Sequence, residues 1–311
     1  MEIKVGQVGV GTWGRYHCEL LSKMDGVELV GLYDINTKRC GKTAADYGTR
    51  EFSSLEELLD NVEAVVVTAP TEKHYDISRQ AVVLGKHLFV EKPICDSVAD
   101  AEDLVRLASQ HGVVLQVGHI ERFNPAFRAA CLNVVSPAYI EVHRLAPYST
   151  RGIQASVVMD LMVHDLDLIL KLVGQEVVGV EATGFTRYSA ATDFANARLN
   201  FAGGCVANVT ASRISEVKRR EMEIRDAQGV LHLDFVDRRA RRIPLAGQPG
   251  AAGVTGDLVD PLRASQENLL QNELVSFFDC LRNGRKPGVD GFEGLEALKL
   301  AAKVQTRIDG N

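Results

Sequence analysis

No stretch of this 311-residue sequence stays apolar for the 18 to 20 residues that a membrane-crossing helix takes. No long run of lysine and arginine is present either, and the formal net charge is −6. That argues against general affinity for nucleic acid or anionic membranes, while leaving room for a small anion in a local basic pocket. The six cysteines (Cys18, Cys40, Cys95, Cys131, Cys205 and Cys280) form no C-x-x-C pair. In a chain of this length they read as reduced, mostly buried thiols in the cytoplasm, and neither a structural zinc nor a catalytic metal is expected. Met1 leads straight into a strand-like stretch, without signal-peptide architecture. No internal repeat is found.

What is present is the make-up of a soluble globular protein, 46% apolar and 24% charged, with enough length for two domains. Short runs rich in Val, Leu and Ile, at 3–10, 27–33, 64–68, 87–90 and 113–117, alternate with helical patterns at 16–24, 54–59 and 97–110. Strand-helix-strand repetition predicts a parallel sheet covered on both faces. Past residue 120 the rhythm changes. One helix pattern, 157–173, ends at Gly174; then strand patterns follow one another at 177–185, 194–201, 205–213, 221–226 and 230–235, which predicts a largely antiparallel sheet. Gly203-Gly204 fits a hairpin between two of these strands. Residues 246–256 read as a Gly-rich loop, and 269–281 and 292–308 as closing helices. The expected domains are 1–118 and 119–311.

Gly9-Val10-Gly11-Thr12-Trp13-Gly14 ends the first strand and opens the first helix. Gly9 suits a tight turn, Gly11 lets backbone approach a pyrophosphate, and Gly14 allows close helix packing. Asp34 closes the second strand about 20 residues later, where a ribose-binding acid belongs. The combination favours a dinucleotide over a turn that merely needs glycine. A carboxylate at Asp34 repels a 2′-phosphate and so favours NAD over NADP, although Lys38 and Arg39 follow and partly offset the repulsion.

Thr68-Ala69-Pro70-Thr71 and Glu91-Lys92-Pro93 end two further strands. Ligands of open α/β sheets bind at the carboxyl ends of strands, so both segments are expected to line the cofactor cleft. Lys92 then stands where it can donate a hydrogen bond to a reacting hydroxyl oxygen, the alternative being a solvated lysine at a strand end. On the helix at 157–173, Asp160, His164, Asp167 and Lys171 fall on one stripe. A neutral histidine there can accept a hydroxyl proton as hydride leaves carbon, with Asp160 fixing its tautomer. Taken alone, a helix-capping Asp160 and a packed core His164 fit equally well.

These positions together resemble the Gfo/Idh/MocA oxidoreductase family over essentially the whole chain. The resemblance rests on the 9–14 fingerprint with His17 after it, Pro70 with His74, Glu91-Lys92-Pro93, and Asp160 with His164. It implies a Rossmann domain (a doubly wound parallel sheet), then an α/β domain with an open, mostly antiparallel sheet. It also implies an NAD-dependent dehydrogenase with Lys92, Asp160 and His164 in catalysis, and a homo-oligomer. The cofactor contacts are then Gly9, Gly11, Thr12, Trp13, Gly14, Asp34, Thr68, Pro70, His74, Glu91 and Lys92. The alternating Phe194, Leu199, Phe201, Val206 and Val209 suit a sheet face used in oligomerisation, or equally a core.

A narrower likeness lies in Val117-Gly118-His119-Ile120-Glu121-Arg122-Phe123-Asn124-Pro125, in 160–167, and in Ala211-Ser212-Arg213. It is to the branch that oxidises the 3-hydroxyl of UDP-N-acetylglucosamine or related UDP-sugars in lipid A precursor and surface-polysaccharide synthesis. A diphosphate needs cations, offered here by Arg122, Arg144, Arg151, Arg213, Lys218, Arg219 and Arg220. Arg122, His119 and Asn124 are the expected substrate contacts; Lys218-Arg219-Arg220, set among glutamates, reads as a solvated strand edge. Three other functions remain open. They are a dehydrogenase of an inositol, free sugar or dihydrodiol, a carbonyl reductase, and an NAD-binding regulator without turnover.

Overall fold

A computed structural model describes residues 2–149, 154–244 and 257–310. Arg151 and the stretch 246–256 lie outside them. The chain divides into two compact units, Met1–His119 with Leu270–Leu295, and Ile120–Leu269 with Glu296–Asn311.

The first unit is built on β1 (Ile3–Val8), α1 (Thr12–Leu21), β2 (Val27–Tyr33), α2 (Thr37–Tyr47), β3 (Arg50–Glu51), α3 (Leu55–Asp60), β4 (Ala64–Val67), α4 (His74–Val83), β5 (His87–Glu91), α5 (Val98–His111) and β6 (Leu115–Gly118). The sheet order is β3-β2-β1-β4-β5-β6, and every pairing is parallel. β4, Ala-Val-Val-Val, is buried throughout, as a strand covered on both faces must be. The order reverses between β1 and β4, so the switch point of the sheet lies at their carboxyl ends. No residue run was assigned to α2 or to the two-residue β3; α2 buries only Cys40, Thr43 and Ala44, too weak a stripe to read.

The segment Leu270–Leu295 corrects the expected contiguous domain 119–311, because it belongs to the first unit. Phe277, on the helix α9 (Leu269–Asn283), meets the ring of Phe89 edge-on with centroids 5.9 Å apart. Gln116 donates to the carbonyl of Glu273 at 3.0 Å, and Arg282 holds the carbonyls of Asp25 and Gly26. Apolar spacing shows that a helix has a buried face, but not which sheet buries it.

The second unit holds α6 (Pro125–Asn133), β7 (Tyr139–Leu145), α7 (Val163–Val173), β8 (Val177–Phe185), β9 (Phe194–Phe201), β10 (Val206–Ser212), β11 (Arg219–Asp226), β12 (Gly229–Asp234), β13 (Arg239–Pro244) and α8 (Pro261–Gln266). The last helix, α10 (Gly291–Asp309), gives its later part to this unit's core through Ala297, Leu300, Ala301 and Val304. The sheet runs β13-β12-β11-β7-β10-β9-β8, parallel at β7/β10 and antiparallel elsewhere. Its core face carries Ala197, Leu199, Phe201, Val209, Met222, Ile224, Leu231 and Leu233, packed with α6 and α7. Leu199, Phe201 and Val209 are therefore core, while Phe194 and Val206 have the opposite parity. The helix pattern at 157–173 is also interrupted: Val158–Met162 forms a π-helical turn before α7 begins. No helix among the described residues is long and apolar enough to cross a membrane.

Candidate active site

In the first unit, the glycine turn follows β1 and touches the end of β4. Gly9 has φ 85°, a left-handed conformation that costs glycine little, and a side chain there would press on the backbone of Thr68 and Ala69. Its carbonyl accepts from the Thr68 hydroxyl at 2.8 Å and from Gln7 Nε2 at 2.9 Å. A Cβ on Gly14 would collide with that same carbonyl and with Thr68 Oγ1, so only glycine lets α1 lie this close. Gly11 is the N-cap of α1 and offers no capping side chain, and a Cβ on it would meet no atom within 4 Å. The first turn of α1, with Thr12 and Trp13, thus starts uncapped beside open space. That is the arrangement that holds a pyrophosphate on free N–H groups and the helix dipole.

Asp34 is buried just past β2. Oδ2 accepts the Val10 N–H at 2.7 Å, Oδ1 accepts the Asn36 N–H at 2.8 Å, and Arg39 Nη2 reaches both oxygens at 2.9 and 3.0 Å. Burial pushes its pKa up, but the two amides and the guanidinium outweigh burial and hold it below the usual carboxylate range. A charged carboxylate therefore stands beside the glycine turn at neutral pH, as a ribose diol requires. These residues fit NAD.

Beyond β4, Pro70 is exposed and leads into a 3₁₀ turn, Thr71–Lys73. His74, expected as a cofactor contact, is instead buried, with Nδ1 2.9 Å from the carbonyl of Pro93 and Nε2 2.9 Å from that of Ala69. Its ring ties the segment after β4 to the segment after β5. Burial lowers its pKa, and the two carbonyls oppose that. Glu91 ends β5, with Oε1 3.0 Å from His17 Nε2 and Oε2 accepting the Lys92 N–H at 3.3 Å. Lys92 is half-buried, and the peptide joining it to Pro93 is cis. His119, expected to touch substrate, is buried.

In the second unit, Asp160 lies in the π-helical turn and His164 in the first turn of α7, both half-buried. A π turn has more residues per turn than an α-helix and recurs at functional sites. The expected stripe does not continue: Asp167 is buried, whereas Lys171 is exposed. Arg122 grips Asp167 in a bidentate fork, Nε to Oδ2 at 2.6 Å and Nη2 to Oδ1 at 2.7 Å. Asn124 caps α6 through the Ala126 N–H and donates to Glu121 Oε2 at 3.0 Å and to the Phe235 carbonyl at 3.1 Å. Arg122 and Asn124 were expected at the substrate. The structure spends their polar atoms inside the protein, because a buried charge or amide needs satisfied partners.

The pattern missed a second fork. Arg144 on β7 holds Asp165, the residue after His164, through Nε and Nη2, both at 2.7 Å, and Glu121 Oε1 through Nη1 at 3.2 Å. Arg220, read as solvated with its neighbours, is only partly so, with 40% of its side chain exposed. Arg219 does pair with Glu221 in the open, Nε to Oε2 at 2.6 Å. Arg220 has the parity of the buried Met222 and Ile224, and this period of two in the sequence was the available signal.

Residues 3–119 match the model of the oxidoreductase family with an NAD-binding Rossmann fold, and residues 133–232 match the GFO/IDH/MocA C-terminal domain. Over 312 residues the chain is 32% identical to the UDP-N-acetylglucosamine 3-dehydrogenase of Acidithiobacillus ferrooxidans, covering 99% of this chain and 98% of that one. A solved structure of UDP-N-acetylglucosamine 3-dehydrogenase from the same organism matches with a TM-score of 0.92 at 30% identity, over 100% of this chain and 99% of that one. The scyllo-inositol 2-dehydrogenase (NAD(+)) of Bacillus subtilis is 26% identical, over 96% and 92% of the two chains. The chain belongs to the Gfo/Idh/MocA family, and is an NAD-dependent oxidoreductase that acts on CH–OH groups.

Proposed function

We propose that this enzyme oxidises the 3-hydroxyl of UDP-N-acetylglucosamine, or of a closely related UDP-sugar, to the ketone. The observation that carries the substrate is the 32% identity, along 99% of the chain, to a dehydrogenase of that hydroxyl. The first unit binds the dinucleotide on Gly9, Gly11, Gly14 and Asp34, and the second binds the sugar. NAD, when bound, supplies the hydride acceptor. His164 takes the hydroxyl proton, Asp160 holds the ring in the tautomer that can accept it, and Lys92 donates a hydrogen bond to the oxygen as negative charge develops there.

The test is NADH absorbance with purified protein, NAD and a panel of UDP-sugars, with a downstream aminotransferase and glutamate drawing off the ketone. NADH forms with UDP-N-acetylglucosamine, and His164→Ala and Lys92→Ala each lower kcat by at least ~100-fold, the range of lost acid-base catalysis. Turnover of inositols but of no UDP-sugar would overturn the substrate and favour the polyol reading, for which the 26% identity to an inositol dehydrogenase speaks. Wild-type turnover in Lys92→Ala would overturn the roles.

A further inference from the structure

β7 and β11 run antiparallel with Arg144 directly opposite Arg220. Like charges facing each other across a ladder destabilise a sheet, so such a pair calls for anions to hold it. Arg144 has them in full, with Asp165 gripped at two points and Glu121 at a third. Arg220 does not. The acidic oxygen paired with it, Glu121 Oε1, is 3.7 Å from Nη1, beyond hydrogen-bond length, and 40% of the Arg220 side chain is exposed.

Glu121 does not depend on Arg220, since Arg144 remains on Oε1 and Asn124 on Oε2. Turning Arg220 towards another anion therefore leaves no buried group unpaired. Other cations of this unit are engaged elsewhere. Arg122 is held by Asp167, Arg213 donates to the Ala155 carbonyl at 2.5 Å, and Arg219 pairs with Glu221. Burial and Arg144 lower the Arg220 pKa, while Glu121, Asp165 and Asp160 oppose that. Arg144, directly opposite Arg220, grips Asp165, the residue after His164, so the ladder carries Arg220 towards the first turn of α7.

We propose that Arg220 is a specificity-determining residue whose guanidinium receives a phosphate group of the substrate. Under the UDP-sugar reading, on which this rests, that group belongs to the diphosphate. The planar fork of arginine matches phosphate oxygens at two points, and the ligand supplies the anion that the fold withholds. A neutral polyol has no such group, so the contact selects nucleotide sugars over inositols.

The experiment measures KM for UDP-N-acetylglucosamine and the inhibition constant of UDP in wild type, Arg220→Met and Arg220→Lys, with NAD binding as the check of folding. Arg220→Met raises both constants by on the order of 10- to 100-fold, the loss of one or two charge-assisted hydrogen bonds, and lowers kcat less than it raises KM. Arg220→Lys falls between, keeping charge without the fork, and decides the matter alone should the methionine variant not fold. Unchanged constants overturn the proposal by themselves. A loss of kcat with a displaced pH profile and an unchanged inhibition constant also overturns it, assigning Arg220 to Asp160 instead. Wild-type protein that binds NAD but neither turns over UDP-N-acetylglucosamine nor binds UDP overturns the UDP-sugar reading together with this one.

Discussion

Asp34 shows how much one side chain is prepared before a cofactor arrives. Val10, Asn36 and Arg39 give its two oxygens four hydrogen bonds, about the full acceptor capacity of a carboxylate. A ribose diol must therefore displace Arg39, which is half exposed and can move away. Asp34→Ala is expected to weaken NAD binding by roughly 10- to 100-fold, from losing hydrogen bonds to a charged acceptor, as titration calorimetry would read. Arg39→Ala is expected to shift preference further from NADP, because it removes the cation nearest a 2′-phosphate. An NADP affinity that rose in Arg39→Ala would contradict this. The acid was legible in the sequence from its place after the second strand. Its saturation by Arg39 was not, since proximity in sequence does not state geometry.

The segment around His164 is an element held at several points. Asp165 and Asp167, one and three residues past His164, are gripped by Arg144 and Arg122. Buried ion pairs gain little net stability over well-packed apolar groups, yet breaking one strands a charge. Arg122→Met is thus expected to lower unfolding stability by about 3–5 kcal/mol, whereas Arg122→Met with Asp167→Leu returns close to wild type. Denaturant titration of both variants decides this; equal losses in the single and the double would refute it. In the first unit, Gly14→Ala is expected to abolish NAD binding, since the added carbon meets the Gly9 carbonyl, a backbone atom that cannot step aside. Apolar periodicity showed the helix around His164 but not its π turn, because a single inserted residue leaves the pattern of Leu, Val and Met readable either way. The internal partners of Arg122 and Asn124 were not legible for a related reason, as a polar residue beside a motif looks the same whether it meets substrate or a buried aspartate.

For the whole molecule, His74, Asp34 and Asp193 are among the groups that make stability depend on pH. His74 has its pKa lowered by burial, so its contribution is complete above about pH 6.5 and is lost as pH falls towards its folded value. Asp34 is held low by its amides and Arg39. Asp193, despite burial, is held well below the carboxylate range by Ser189 and the N–H groups of Tyr188, Arg187 and Ser189. Their contributions are complete above about pH 4 and are lost as pH falls through their folded values. Denaturation midpoints are expected to decline in two stages on acidification, with Asp193→Asn losing part of the lower one. A flat profile from about pH 7 to 3 would contradict the assignment.

Linear pattern was enough for the two sheet types and for the glycine turn with its acid. Each of these is local: a period of two or 3.6, a spacing, a glycine where a side chain cannot fit. Tertiary structure decided that 270–295 completes the first unit, that His74, Arg122 and Asn124 turn inward, and that Arg220 alternates with Met222 onto the core face. Those outcomes depend on which distant carboxylate, carbonyl or ring stands opposite, and a linear pattern carries no information about partners brought together only by the packing of sheets and helices.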